Sequence, residues 1–126
     1  MKSHIISGIV MLCLFLCTRV VAQEQGIASY YADSFDGQLM ANGTVYNPDE
    51  LTCAHPTAPL GSIMKIARKD NPDQSVIVRV VDRGPYVKGR IVDLSKRAAK
   101  ELGILHMGIA DVVVGFIKIP GGLNCP

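Results

Sequence analysis

The chain has 126 residues, with 13 basic and 11 acidic side chains and no tryptophan. That length suits one ordinary domain and excludes two. With Lys2 and Arg19 of the N-terminal segment set aside the charges balance at 11 and 11, which argues against a nucleic-acid partner, since such proteins carry a basic excess.

The first segment reads as a leader. Lys2 precedes an almost wholly apolar run over 5–16, about the length of a signal-peptide core and too short to span a bilayer comfortably. Val20 and Ala22 precede a cleavage point expected between Ala22 and Gln23. The reading is therefore a secretory signal over 1–22, a domain over 23–126, and a periplasmic or cell-envelope location with no stable membrane span after cleavage. Lipid anchoring at Cys17 is the alternative, but Leu16 is bulky where a small residue is expected.

Past the leader, Gly, Pro, Asn and Asp recur at short intervals between Val- and Ile-rich segments, the pattern of a small β-domain. A first strand is expected over 26–32. Residues 35–50 read mostly as loop, with Asn42-Gly43 as a turn signal. A strand over 62–69 and a turn over 70–74 lead to the strongest strand signal, "SVIVRVVD" over 75–82. There Val76, Val78 and Val80 share one face, and Ile77, Arg79 and Val81 the other. A strand over 90–94 is followed by Ser95 as N-cap, a short helix "KRAAKEL", and Gly103 as its stop. Ala98, Ala99 and Leu102 form the helix's buried side. A last strand covers 110–120. Five or six strands with one helix suggest a closed or nearly closed small barrel, because closure removes the exposed edges of short strands.

The segments "GIASYYA", "ANG", "LTCAH", "PLG", "VIVRVVDRGPYVKGRIVDLS" and "AAKELGI" occur in an order that resembles the rare-lipoprotein-A-like double-psi β-barrel domains. The resemblance covers 26 to about 119. It implies a mainly-β fold, a six-stranded double-psi barrel with one or two short helices. It also implies an envelope protein acting on peptidoglycan glycan strands, with cell-envelope or division proteins as further partners. Characterised members are lytic transglycosylases, which cut between N-acetylmuramic acid and N-acetylglucosamine in peptide-poor strands and leave a 1,6-anhydro sugar. An expansin-like, purely glycan-binding domain is the alternative. A protein-binding inhibitor barrel is a third, since fold alone does not fix function.

A non-hydrolytic cut needs a proton on the leaving oxygen and then a base for the sugar's own C6 hydroxyl. One carboxyl can do both in turn. Asp82 is the candidate: it ends an apolar strand, and Gly84-Pro85 turns the chain just beyond it. It reads equally as a turn acceptor or as a partner of Arg83 or Arg90. Asp93, two residues before the helix cap, reads as structural. His55 matches a functional histidine of the resembled family, and can orient a carboxyl or contact substrate. Cys53, two residues away, lacks the orienting motif of a nucleophile. Tyr86, Tyr31, Tyr30 and Tyr46 can stack on sugar rings or pack in the core. Arg83 and Arg90 can contact a muramic lactyl carboxylate or satisfy backbone carbonyls. Asn42, in "ANG", and Thr44, just after it, are counted among the binding residues. The resembled family carries a glutamate after "ANG"; here Thr44 stands there, and Glu50 is shifted by six positions. No cofactor is expected, and no metal, because only His55 and His106 lie beyond the leader. Cys53 and Cys125 can pair in an oxidising compartment, closing a long loop with a contribution of about 4 kcal/mol, or remain separate thiols.

Overall fold

The computed structural model describes residues 23–121. The expected leader, including Cys17, and Cys125 of the expected disulfide lie outside the described residues. Six strands, β1 (Gln23–Tyr30), β2 (Thr52–Ala54), β3 (Ile63–Arg68), β4 (Ser75–Asp82), β5 (Arg90–Leu94) and β6 (Ala110–Lys118), and one helix, α1 (Lys96–Leu102), make up the fold. A 3-10 turn, Asp33–Phe35, follows β1.

The strands close into a barrel in the order β1-β5-β2-β4-β3-β6. Two pairings are parallel, β1 with β5 and β2 with β4, and the other four are antiparallel. This is the six-stranded double-psi barrel expected above. Every strand has a neighbour on both sides, so no ladder edge is left for another chain to pair with.

Alternation sends one face of each strand inward. On β4, Val76, Val78 and Val80 are buried while Ile77 and Arg79 are exposed, as the period of two predicts. Met64 and Ile66 of β3, Val92 and Leu94 of β5, and Val112 and Val114 of β6 meet them in the core. The first strand begins earlier and ends sooner than expected, because Gln23 to Ala28 pair with β6. Gly26 sits where β1 crosses β5 closely: a Cβ there would lie 2.6 Å from Ile91 Cγ2.

The helix forms where its signals predict. Ser95 Oγ accepts from the Ala98 amide at 3.2 Å, and Gly103 ends the helix in the left-handed region at φ 80°. Ser95 Oγ also donates to the Glu50 carbonyl at 2.6 Å, tying the cap to the segment before β2. Ala98, Ala99, Leu102 and Ile104 are fully buried and join the barrel's core cluster.

A second, smaller apolar cluster lies apart from the core. Tyr31, Met40, Tyr46, Ala54 and Val81 form it. Val81 belongs to the outward face of β4, so its burial requires a cover. The 33–46 segment supplies that cover and is thereby held against the end of the barrel.

Candidate functional site

The last residue of β4 is Asp82, half-buried at the rim. Both of its carboxylate oxygens accept hydrogen bonds. Tyr31 Oη donates to Oδ2 at 2.5 Å, and the Ala41 amide donates to Oδ1 at 2.9 Å. Each oxygen has a second lone pair, so the carboxylate is fixed in orientation while keeping capacity for a further partner.

The two donors reach Asp82 through the second cluster. Tyr31 follows β1, and its amide bonds the Leu94 carbonyl at 3.0 Å. Its ring packs edge-on against Phe35 at 5.2 Å and tilted against Tyr46 at 4.9 Å. Burial, reinforced by the hydrogen bond to Asp82, holds the Tyr31 phenol well above its ordinary pKa, so it remains a donor. Ala41 lies in the turn closed by the Leu39–Val45 bridge. The Asn42 amide bonds the Val81 carbonyl at 3.0 Å, which anchors that turn to β4.

Asn42 and Thr44 serve the turn itself. Asn42 Oδ1 accepts from the Thr44 amide at 3.0 Å and from Thr44 Oγ1 at 2.6 Å. Gly43, at the tip, takes φ +88°, a conformation that L side chains rarely adopt. Beyond Asp82 the chain runs through Gly84-Pro85 into an exposed segment. Tyr86 is 82% exposed there, and Val87, Leu39 and Val45 are also exposed. Asp82 thus lies between two loops that present apolar side chains to solvent.

His55 is brought close to Asp82 by backbone only. Its amide bonds the Asp82 carbonyl at 3.1 Å, whereas its ring is buried and engaged elsewhere. Nδ1 accepts from the Thr57 and Ala58 amides at 3.1 and 2.9 Å, and Nε2 lies 2.9 Å from Glu24 Oε1. Two N–H groups aimed at Nδ1 assign the proton to Nε2, which donates to Glu24. The ring also meets Phe116 edge-on at 5.9 Å. In this arrangement His55 organises the 55–58 turn and does not orient the Asp82 carboxyl.

Several expected contacts fall differently. Arg83 does not pair with Asp82: its Nη1 donates to the His55 and Ala58 carbonyls at 3.1 and 2.6 Å, the backbone role that was one of the two alternatives for it. Tyr31 is 8% exposed, so it offers no face to a sugar and acts as the donor to Asp82. Asp93 accepts from Ser29 Oγ, in keeping with a structural role. Arg90 is half-buried at the start of β5. Cys53 is fully buried, and burial, with Asp93 nearby, raises its thiol pKa strongly, the opposite of an activated nucleophile. Glu24, which no motif marks, and the Ala41 amide, whose side chain gives no signal although it opens the "ANG" segment, are the contacts that the sequence reading lacks.

Among the described residues no group of three His, Cys, Asp or Glu side chains is placed to hold a metal ion. No described helix is long and apolar enough to cross a membrane.

Similar proteins share this architecture. The Streptomyces papain inhibitor superposes with a TM-score of 0.61 at 22% identity, covering 77% of this chain and 96% of its own. The expansin of Clavibacter michiganensis gives 0.60 at 20% identity, covering 80% and 53%. At those identities the likeness is one of fold. The endolytic peptidoglycan transglycosylase RlpA of Pasteurella multocida is 46% identical over 96 residues, 76% of this chain and 32% of that protein. The chain spans about a third of the length of the curated relatives it matches. A family model described as lytic transglycolase matches residues 23–114, from the start of β1 well into β6, and by that match the chain belongs to this double-psi β-barrel family.

Proposed function

We propose that the protein is a peptidoglycan lytic transglycosylase in which Asp82 is the acid and base. The observation that carries this reading is the Asp82 carboxylate, held at the barrel rim by Tyr31 Oη and the Ala41 amide between two exposed loops. The protonated carboxyl gives its proton to the glycosidic oxygen as the bond from C1 of N-acetylmuramic acid breaks. The muramic C6 hydroxyl then attacks C1, and the carboxylate takes the hydroxyl proton. The products are a 1,6-anhydro-muramyl end and a free N-acetylglucosamine hydroxyl, and no water is consumed. Tyr86, exposed in the segment that follows Asp82, offers an aromatic face to a pyranose ring, and Arg90 at the start of β5 and the Asn42 side-chain NH2 are further polar contacts. His55 acts through the 55–58 turn as a positioning residue. Export through the 1–22 leader would bring the protein to its substrate.

Thr44 favours a second reading, a glycan-binding domain without turnover. Its hydroxyl donates within the turn to Asn42 and has no acidity to give at neutral pH. One experiment separates the two. Peptide-free glycan strands are incubated with the protein and with Asp82→Asn, and the products are read by mass spectrometry. Anhydro-muramyl ends from the first and none from the second support the transglycosylase. Strands that bind and stay intact sink it and leave the binding domain.

A further inference from the structure

We infer that Arg79 and Lys118 form a carboxylate clamp next to the turn that holds Asp82, reading the free lactyl carboxylate of a muramic acid residue. The inference deepens the functional reading above and rests on it for the identity of the glycan.

The clamp follows from strand register. Ile63 of β3 is paired with Arg79 of β4 on one side and with Lys118 of β6 on the other. The three residues thus form one row across the barrel wall. Two strand spacings put the Arg79 and Lys118 Cα atoms about 10 Å apart, a gap that their long side chains can close around one small anion. Arg79 and Lys118 are exposed, and Ile63 between them is half-buried. Alternation explains Arg79: its neighbours Val78 and Val80 face the core, so its guanidinium faces out.

The row lies along an open surface hollow of about 510 Å³ that also includes Asn42, Leu60 and Gly61. Asn42 belongs to the turn whose Ala41 amide holds Asp82, so the pocket and the candidate acid share one loop. No acidic side chain lines this pocket among the described residues, and none of the described ion pairs uses Arg79 or Lys118. Arg79 also rims a neighbouring hollow that contains Glu50, yet the two are not ion-paired. Two cations over an apolar floor suit a planar carboxylate, and arginine supplies the fork that binds it bidentately.

The chemistry distinguishes sugars. N-Acetylmuramic acid carries a lactyl carboxylate, and N-acetylglucosamine does not. When a stem peptide is attached, that carboxylate is an amide and carries no charge. A clamp for the free anion therefore selects peptide-stripped muramyl units. Arg83, whose guanidinium is spent on backbone carbonyls, leaves this task to other cations.

The test is a titration of the isotope-labelled protein with N-acetylmuramic acid and, separately, N-acetylglucosamine, followed by NMR. The expected result is that muramic acid alone shifts the Gly61, Arg79 and Lys118 amides. Arg79→Gln with Lys118→Met should weaken its binding on the order of tenfold, the usual size for loss of hydrogen bonds to a charged group. Unchanged amide dispersion elsewhere will show that the double variant is folded. Equal shifts from both sugars, no shift from muramic acid, or undiminished binding by the double variant would each overturn the clamp. The result is independent of strand cleavage. Cleavage without muramate-specific shifts removes the clamp alone, while shifts without cleavage keep the clamp and remove the transglycosylase.

Discussion

Tyr31→Phe tests how Asp82 is held. The substitution removes one oxygen and leaves the ring, so the packing against Phe35 and Tyr46 is retained. What is lost is the 2.5 Å bond to Asp82 Oδ2. A hydrogen bond to a charged acceptor contributes about 1.5–3 kcal/mol, and Tyr31 is buried enough for the lower half of that range to apply in full. Urea unfolding at pH 7 should show a loss of about 2 kcal/mol with an unchanged m-value. In a double-mutant cycle with Asp82→Asn, a coupling of at least about 1 kcal/mol is expected. The pH profile gives a second reading. The Tyr31 phenol titrates above its ordinary value near 10 because of burial first and Asp82 second, and the Tyr46 phenol is also raised, chiefly by burial. The folded protein therefore keeps protons that the unfolded chain releases above pH 10. The stability they contribute is fully present below pH 10 and falls as pH rises beyond it, by up to about 1.4 kcal/mol per pH unit for each phenol. The buried Cys53 thiol, also raised, adds to the same alkaline loss, and Tyr31→Phe should make the slope shallower by removing one of these contributors. A variant as stable as the wild type, with zero coupling and an unaltered alkaline slope, would refute the role given to Tyr31.

Thr44→Glu places a carboxyl at the turn beside Asp82, and should raise the yield of anhydro-muramyl ends at least tenfold by mass spectrometry; an unchanged yield would show that Thr44 does not limit cleavage. Ser95→Ala deletes both the helix cap and the bond to the Glu50 carbonyl, and a loss of about 2 kcal/mol is expected in urea unfolding. Leu102→Ala opens a cavity beneath α1 and should cost about 3 kcal/mol, with a fall in Tm by calorimetry. Cys53, buried and with its thiol pKa raised, should resist alkylation in the native protein at pH 8; rapid native labelling, followed by mass spectrometry, would contradict its burial.

The barrel was legible because its signals are local. The Val76–Val78–Val80 alternation, the Ser95 cap and the Gly103 stop depend on neighbours in sequence, and each appears where its pattern predicts. The strand order has no such signature: β1 lies between β5 and β6, and nothing in "QEQGIASY" announces those partners. The residue at the strand end, Asp82, could be picked out as a candidate from the turn that follows. Its donors could not, since one is a tyrosine 51 residues away and the other is a backbone amide. Arg83 stayed open for the same reason: a guanidinium adjacent in sequence to a carboxylate can be its partner or a donor to backbone carbonyls, and only the fold brings it to the carbonyls of the 55–58 turn. Arg79 carried a signal in its outward register, but its relation to Lys118 exists only once β3 lies between them.

The position of β1 also sets the order in which the molecule can assemble. Its hydrogen-bonding partners are residues 90–94 and 110–115, so β1 has no place to pair until β5, more than 60 residues later, has emerged, and its second side waits for β6. Closing those long loops is the slow part of such topologies. A barrel made N-terminus first therefore remains open, with β1 unpaired on one side, until β6 follows. Completion of β6 both finishes the wall and releases the chain from that open state.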